Sequence, residues 1–233
     1  MLFTDRSDAG QQLAARLRAW RGRRPVVLAL PRGGVPVAFE IARDLQAPLD
    51  LVLVRKIGAP GQPELAIGAV ADGEQPELVV DERVIAWLGA SSQYLEEAKS
   101  EALAEIDRRR SIYLRNRQLV EVQGRPVIVV DDGIATGATV LAALRATRRR
   151  GPARLLLAIP VAPPDALRRL RHIADEVICL AAPRRFAAVG EFYRSFPQLS
   201  DEEVVALLER AAEFAPAADA NAGASALIGE VTQ

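Results

Sequence analysis

The sequence predicts an α/β fold built on a parallel sheet, and three observations lead there. Val127, Ile128, Val129 and Val130 form a continuous β-branched run, the pattern of a short strand buried on both faces of a parallel sheet. The run ends at two adjacent acids, Asp131 and Asp132, then a loop of small and hydroxylated residues, Gly133 to Thr139, and a helical pattern from Ala138 to about Arg149. A second strand, glycine loop and helix unit runs from Pro25 to Leu30, through Pro31-Arg32-Gly33-Gly34, into a helix beginning near Pro36. Strand and helix patterns alternate along the rest of the chain, and such alternation implies right-handed crossovers between parallel strands.

Taken in order, Asp8 to about Trp20 carries Ala9, Leu13, Leu17 and Trp20 at helical spacing, one packed face. Leu49 to Val54 is the next strand, ending in Arg55-Lys56-Ile57-Gly58, two cations at a strand's carboxyl edge before a Gly/Pro loop. Leu65 to Val70 and Glu77 to Val80 read as short strands around an exposed turn at Ala71 to Gly73. From Ser92 to about Arg117 the pattern is one long charged helix with Leu95, Ala98, Ala102, Ile106 and Tyr113 near one face and an i,i+4 pair, Glu105 and Arg109. The run Arg108 to Arg110 reads as a solvated face. Gly151-Pro152 stops the helix that follows the acid pair. Arg154 to Val161 and Glu176 to Leu180 are two further strands, with a helix from about Pro164 to Arg171 between them.

Pro183 to Leu199 breaks the alternation and gathers Phe186, Phe192, Tyr193 and Phe196 without clean periodicity. These aromatics are either a satellite core or a hood over the crevice. Ser200 to Glu203 is a capping box opening a last helix. The Ala/Gly/Ser-rich segment 215–233 has little to bury and reads as a disordered tail, which leaves residues 1–214 as one domain.

Composition narrows the function. With 233 residues the chain can bury a sizeable core. Its formal net charge is zero, so there is no bulk electrostatic case for nucleic acid or an anionic membrane. Cys179 is the single cysteine and His172 the single histidine, which excludes an intramolecular disulfide and a His/Cys metal cluster. The N-terminal stretch is too polar for a signal peptide and no apolar run approaches a membrane span. The expectation is a cytoplasmic protein with a buried, inert thiol.

The stretch from Val127 to Thr139 carries the chemistry. In open α/β sheets ligands bind at the carboxyl ends of the strands. A helix N-terminus leaves backbone N–H groups unpaired and carries about half a positive charge, which suits a phosphate. Carboxylates accept hydrogen bonds from vicinal hydroxyls. A ligand offering both hydroxyls and phosphate, such as a sugar phosphate, satisfies the acids and the loop together. Lys is absent from the place a Walker loop requires, and the spacing is not that of a dinucleotide fingerprint.

VIVVDDGIATGAT resembles the phosphoribosyl pyrophosphate (PRPP) motif of the type I phosphoribosyltransferases. The resemblance covers roughly residues 25–199 and implies a Rossmann-like parallel-sheet core, about 25–182, with a small hood from the N-terminal segment and 183–199 and one long inserted helix. It implies that Asp131 and Asp132 hold the ribose hydroxyls and that Ala135, Thr136, Gly137, Ala138 and Thr139 hold the 5′-phosphate. Arg32, Gly33 and Gly34 match the family's pyrophosphate loop, which often contains a non-proline cis peptide, here involving Arg32. Arg55 and Lys56 are similar to the Arg-Lys pair of the adenine-type enzymes and would neutralise the pyrophosphate leaving group, so the catalytic candidates are Asp131, Asp132, Arg55 and Lys56.

The family's base site falls where Phe186, Phe192 and Tyr193 stand. Its flexible loop corresponds either to Gly58–Glu64 or to the neighbourhood of Gly73. The implied reaction displaces pyrophosphate from Mg·PRPP by a nitrogen nucleophile, with a nucleobase as acceptor. Magnesium arrives with PRPP, held by its oxygens and water and by no protein cluster.

One departure concerns the acceptor. Ala135 stands where hypoxanthine-guanine enzymes carry a third acid, so the motif sits nearer the adenine type, although no Lys follows the next strand. The alternatives are a PRPP-binding regulator without transfer activity and a sugar-phosphate module that has no need of Arg55 or Lys56. A homodimer is the expected assembly.

Overall fold

The computed structural model describes residues 2–72, 77–80, 82–88, 90–115 and 119–215. Helix α1 (Arg6–Leu17) starts at Asp5, whose carboxylate accepts from the Asp8 N–H at 2.8 Å, and buries Ala9, Leu13 and Leu17. Strand β1 (Val26–Ala29) leads through residues 30–33 into α2 (Gly34–Leu45), and β2 (Leu49–Leu51) follows. Later in the chain β6 (Pro126–Val130), α5 (Ala138–Arg149), β7 (Arg154–Val161), α6 (Pro164–Leu170) and β8 (Glu176–Ala181) complete the alternation. The five strands form one parallel sheet in the order β2-β1-β6-β7-β8.

Strand periodicity divides the core. Val27, Ala29, Ile128, Val130, Leu156 and Ala158 face one way, towards α1, α2 and α7 (Asp201–Ala212). Val26, Leu28, Val127, Val129, Leu155 and Leu157 face the other, towards α5 and α6. Successive side chains on a strand point to opposite faces, so these unbroken apolar runs suit a sheet covered on both sides. The molecule is thus layered helix, sheet, helix.

The strand predicted for Leu49 to Val54 divides in two. Val52 and Leu53 turn out of the parallel sheet, and β3 (Val54–Ala59) pairs antiparallel with β4 (Gln62–Ala71), which pairs antiparallel with β5 (Glu77–Val80). This second, three-stranded sheet contains the two short strands expected around Leu65–Val70 and Glu77–Val80 and stands beside the parallel sheet. It is packed between two helices. Ile57, Ile67 and Val70 meet Ala102 and Ile106 of the long helix α4 (Ser92–Tyr113), while Ala69, Ala71 and Val79 meet Ala142 and Ala146 of α5.

The turn expected to be exposed at Ala71 is also corrected. Ala71 is buried, and Asp72 accepts from the Leu53 N–H at 3.1 Å and from Arg110 at 2.9 Å. Gly73 lies outside the described residues. A short helix not anticipated from the pattern, α3 (Glu82–Leu88), precedes α4. Glu105 does pair with Arg109, at 2.8 Å, and with Arg108.

Residues 2–4 run beside residues 192–195: the N–H groups of Leu2 and Phe3 donate to the Phe192 carbonyl, and those of Arg194 and Ser195 donate to the carbonyls of Phe3 and Thr4. The Ser200 capping box is complete in both directions. The predicted end of the long helix at 116–117 and the segment 216–233 fall outside the described residues.

Candidate active site

Parallel register puts two strand ends side by side. Ala29 of β1 is opposite Val130 of β6, so the loop 30–33 and the acid pair leave the same edge of the sheet at the same height. They touch there. A Cβ built on Gly33 would stand 2.6 Å from Asp132 Cγ and closer still to its carboxylate oxygen Oδ2, and one on Gly34 would stand 2.7 Å from the Val130 carbonyl oxygen. Only glycine admits this approach between the two loops. The peptide bond between Pro31 and Arg32 is cis.

The acids are positioned by short-range contacts. Asp131 Oδ1 accepts from the Asp132 N–H at 2.9 Å. The Asp132 carbonyl accepts from the Tyr193 hydroxyl at 2.6 Å, and Asp132 Oδ2 accepts from Arg6 Nε at 2.8 Å. Burial pushes the Asp131 carboxyl well above the usual carboxylate range, and the neighbouring charge of Asp132 adds to it. Burial also raises Asp132, with Arg6 pulling it back down.

Beyond the acids, Gly137 takes a left-handed conformation, φ +84°, and stands at the start of α5 with no side-chain cap on the helix N–H groups. Ala135 and Thr136 are exposed, Ala138 and Thr139 half-buried. Arg169 donates to the Thr136 carbonyl at 2.7 Å, tying the loop to α6. An uncapped helix start of this kind presents several backbone donors to an anion.

Arg32 lies 3.8 Å from Asp201, the first residue of α7, and Asp201 also accepts from the Tyr113 hydroxyl at 2.5 Å. The C-terminal end of α4 is thereby linked to the residue that follows the cis bond. Arg55 and Lys56 do not close a strand's carboxyl edge as expected. Both are exposed on β3, opposite Val70 and Ala69 respectively. Facing residues of an antiparallel pair share a side and neighbours along a strand alternate, so Arg55 lies on the α4 side of the second sheet and Lys56 on the α5 side.

The aromatics separate as well. Tyr193 is 2% exposed, with its ring against Phe3 (centroids 5.2 Å apart) and Phe196 (4.9 Å). Tyr193 thus sits in a satellite core of aromatics, one of the two alternatives the segment presented. Phe186 and Phe192 stack on each other at 5.2 Å and are partly exposed.

Arg6 is the residue that the sequence pattern missed. It opens α1 and reaches Asp132, the Pro197 carbonyl at 2.8 Å and the face of Phe196. Its only local signal is an arginine on the buried face of an amphipathic helix. A separate cavity of about 510 Å³ lies by the edge strand β2, lined by Val52, Asp72, Val120, Thr147 and Arg150 among others, and none of the predicted site residues borders it.

A family model described as the phosphoribosyl transferase domain matches residues 5–193. Two Mycobacterium tuberculosis proteins, MT0597 of strain CDC 1551 and Rv0571c of strain H37Rv, are each 48% identical over 224 residues, 96% of this chain. Both carry phosphoribosyl transferase as a provisional designation. The chain spans about half the length of these curated relatives, 50% in each case. The crystal structure of TT1426 from Thermus thermophilus is 45% identical, covers 93% of this chain and 100% of its own, and superposes with a TM-score of 0.77. The matched span runs from the cap of α1 through Tyr193 and so contains the acid pair, the glycine loop and Arg6; this chain belongs to the phosphoribosyl transferase family.

Proposed function

We propose that the protein transfers the 5-phosphoribosyl group of Mg·PRPP to a nitrogen acceptor, with release of pyrophosphate. The observation that carries this reading is the meeting of the Gly33-Gly34 loop with the Asp131-Asp132 pair at the edge shared by β1 and β6. A ligand lying there would have a diol acceptor, an uncapped helix start and a glycine loop within one crevice.

Each part would have a distinct task. Asp131 and Asp132 would accept from the ribose hydroxyls, and the backbone donors at 137–139 would hold the 5′-phosphate. Arg32 with the glycine loop would face the pyrophosphate, where negative charge develops as the bond to C1 breaks. Among the described residues no group of three or more His, Cys, Asp or Glu is placed to hold an ion. A magnesium ion would come to this site as part of the substrate complex, held by diphosphate oxygens and water. Its chemistry is neutralisation of the leaving group. A nucleobase is the acceptor we favour, because the partly exposed pair Phe186 and Phe192 offers flat apolar surface in the segment hydrogen-bonded to residues 2–4. No described helix is long and apolar enough to cross a membrane, and the reaction needs only dissolved substrates.

The test is pyrophosphate release from Mg·PRPP across a panel of purine and pyrimidine bases, with Asp132→Asn as control. Release with one base, lost in the variant, is the expected result. One observation favours a second reading, a PRPP-binding regulator: Arg55 and Lys56 lie on opposite faces of β3 and form no single cationic wall. Binding of PRPP with silence across the whole panel would select it.

A further inference from the structure

We propose that Arg6 is the positioning residue of the ribose site, holding the Asp132 carboxylate in the orientation that a vicinal diol requires; this rests on the phosphoribosyl-transfer reading above. One guanidinium makes three contacts: Nε to Asp132 Oδ2 at 2.8 Å, one terminal nitrogen to the Pro197 carbonyl at 2.8 Å, and its planar face over the Phe196 ring, 3.7 Å from the centroid. Arg6 is 9% exposed, and arginine is seldom so buried unless it is paired.

The geometry of the pair is selective. Nε reaches Oδ2, the same oxygen that packs against Gly33. The carboxylate is therefore held through Oδ2 by the cation and packed by the Gly33 backbone, an arrangement in which Oδ1 would accept from a ligand hydroxyl. Stability alone does not account for such an arrangement, because a buried ion pair commonly contributes no more than apolar residues of similar volume. Orientation does account for it: a planar guanidinium fixed by a carbonyl and an aromatic face cannot swing away.

The groups around Asp132 make Arg6 hard to replace. Asp131 beside it carries the same sign of charge, and the Tyr193 hydroxyl donates to the Asp132 backbone carbonyl and leaves the carboxylate alone. Arg6 is the cation that opposes the burial of Asp132. It also belongs to α1, while Pro197 and Phe196 belong to the segment after β8, so the contact couples the wall of the crevice to the acid at its floor.

The experiment is calorimetric titration of the full chain with Mg·PRPP and, separately, with Mg·pyrophosphate, which has no diol to present. In Arg6→Gln the affinity for Mg·PRPP should fall roughly tenfold or more, with Mg·pyrophosphate affinity unchanged. Arg6→Lys should recover part of the loss by restoring the charge. Phe196→Leu, which keeps the charge and removes the ring, should fall between wild type and Arg6→Gln. Wild-type affinity for Mg·PRPP in Arg6→Gln would overturn the proposal, and so would an equal loss of both ligands, the signature of a merely structural role. Failure of the wild-type protein to bind Mg·PRPP would overturn the functional reading itself.

Discussion

The backbone of Gly33 lies against the carboxylate of Asp132, near enough that a Cβ on the glycine would stand 2.6 Å from Asp132 Cγ. Two loops that leave adjacent parallel strands are thus in contact through a missing side chain. At Gly34 the obstacle differs: the nearest atoms to its absent Cβ are the Val130 carbonyl oxygen at 2.7 Å and Asp131 Cα at 3.0 Å, both backbone.

These two glycines should therefore fail in different ways. Gly33→Ala can be accommodated by turning the Asp132 side chain away from Arg6, so it should cost Mg·PRPP binding far more than stability. Gly34→Ala must move the end of β6 and should destabilise the fold by about 1–3 kcal/mol. Chemical denaturation and calorimetry on the pair give the comparison. Equal loss of stability in both variants would contradict it.

Asp131 predicts a dependence on pH. Burial and the charge of Asp132 raise its carboxyl above the ordinary value of 3.8. A carboxyl raised in the folded state lowers stability as pH rises through the folded value, because the buried anion is disfavoured. Asp131→Asn keeps an oxygen to accept from the Asp132 N–H and removes the anion. The variant should melt above wild type at neutral pH, and the advantage should shrink towards nothing as pH falls below 3.8, where both states are neutral. Thermal melts across that range provide the check; a variant melting below wild type at neutral pH would refute it. The same change should weaken Mg·PRPP binding.

Tyr113 ties the long helix to the site's far wall. Its hydroxyl donates to Asp201 at 2.5 Å, and burial, followed by that bond, pushes the phenol up to about 12. Because the folded value is raised, the bond's contribution is complete below the ordinary value of 10 and fades as pH passes about 12. Tyr113→Phe should lower stability by about 1 kcal/mol at neutral pH, seen as a lower urea midpoint with an unchanged slope. An unchanged midpoint would show that the contact is not stabilising.

The parallel sheet, the acid pair and both loops were legible because each is encoded locally. A four-residue β-branched run, two acids, a glycine at φ +84° and a helix start need only neighbours along the chain to declare themselves. The same holds for the Ser200 capping box and for the face of α4 that carries Ala102, Ile106 and Tyr113. What escaped was decided by packing between distant segments. LDLVLV reads as one strand, yet the chain leaves the sheet after Leu51, because Ile57, Ile67 and Val70 bury themselves against α4 in an antiparallel sheet of their own. That choice put Arg55 and Lys56 on opposite faces. Tyr193 looked like a free aromatic until Phe3 and Phe196 covered it and Asp132, 61 residues earlier, took its hydroxyl bond. Arg6 and Asp132 are 126 positions apart. No periodicity reaches across such a distance, since the energy that joins them is desolvation and charge pairing created only when α1 packs on α2, β7 and β8 and brings Arg6 to the loop after β6.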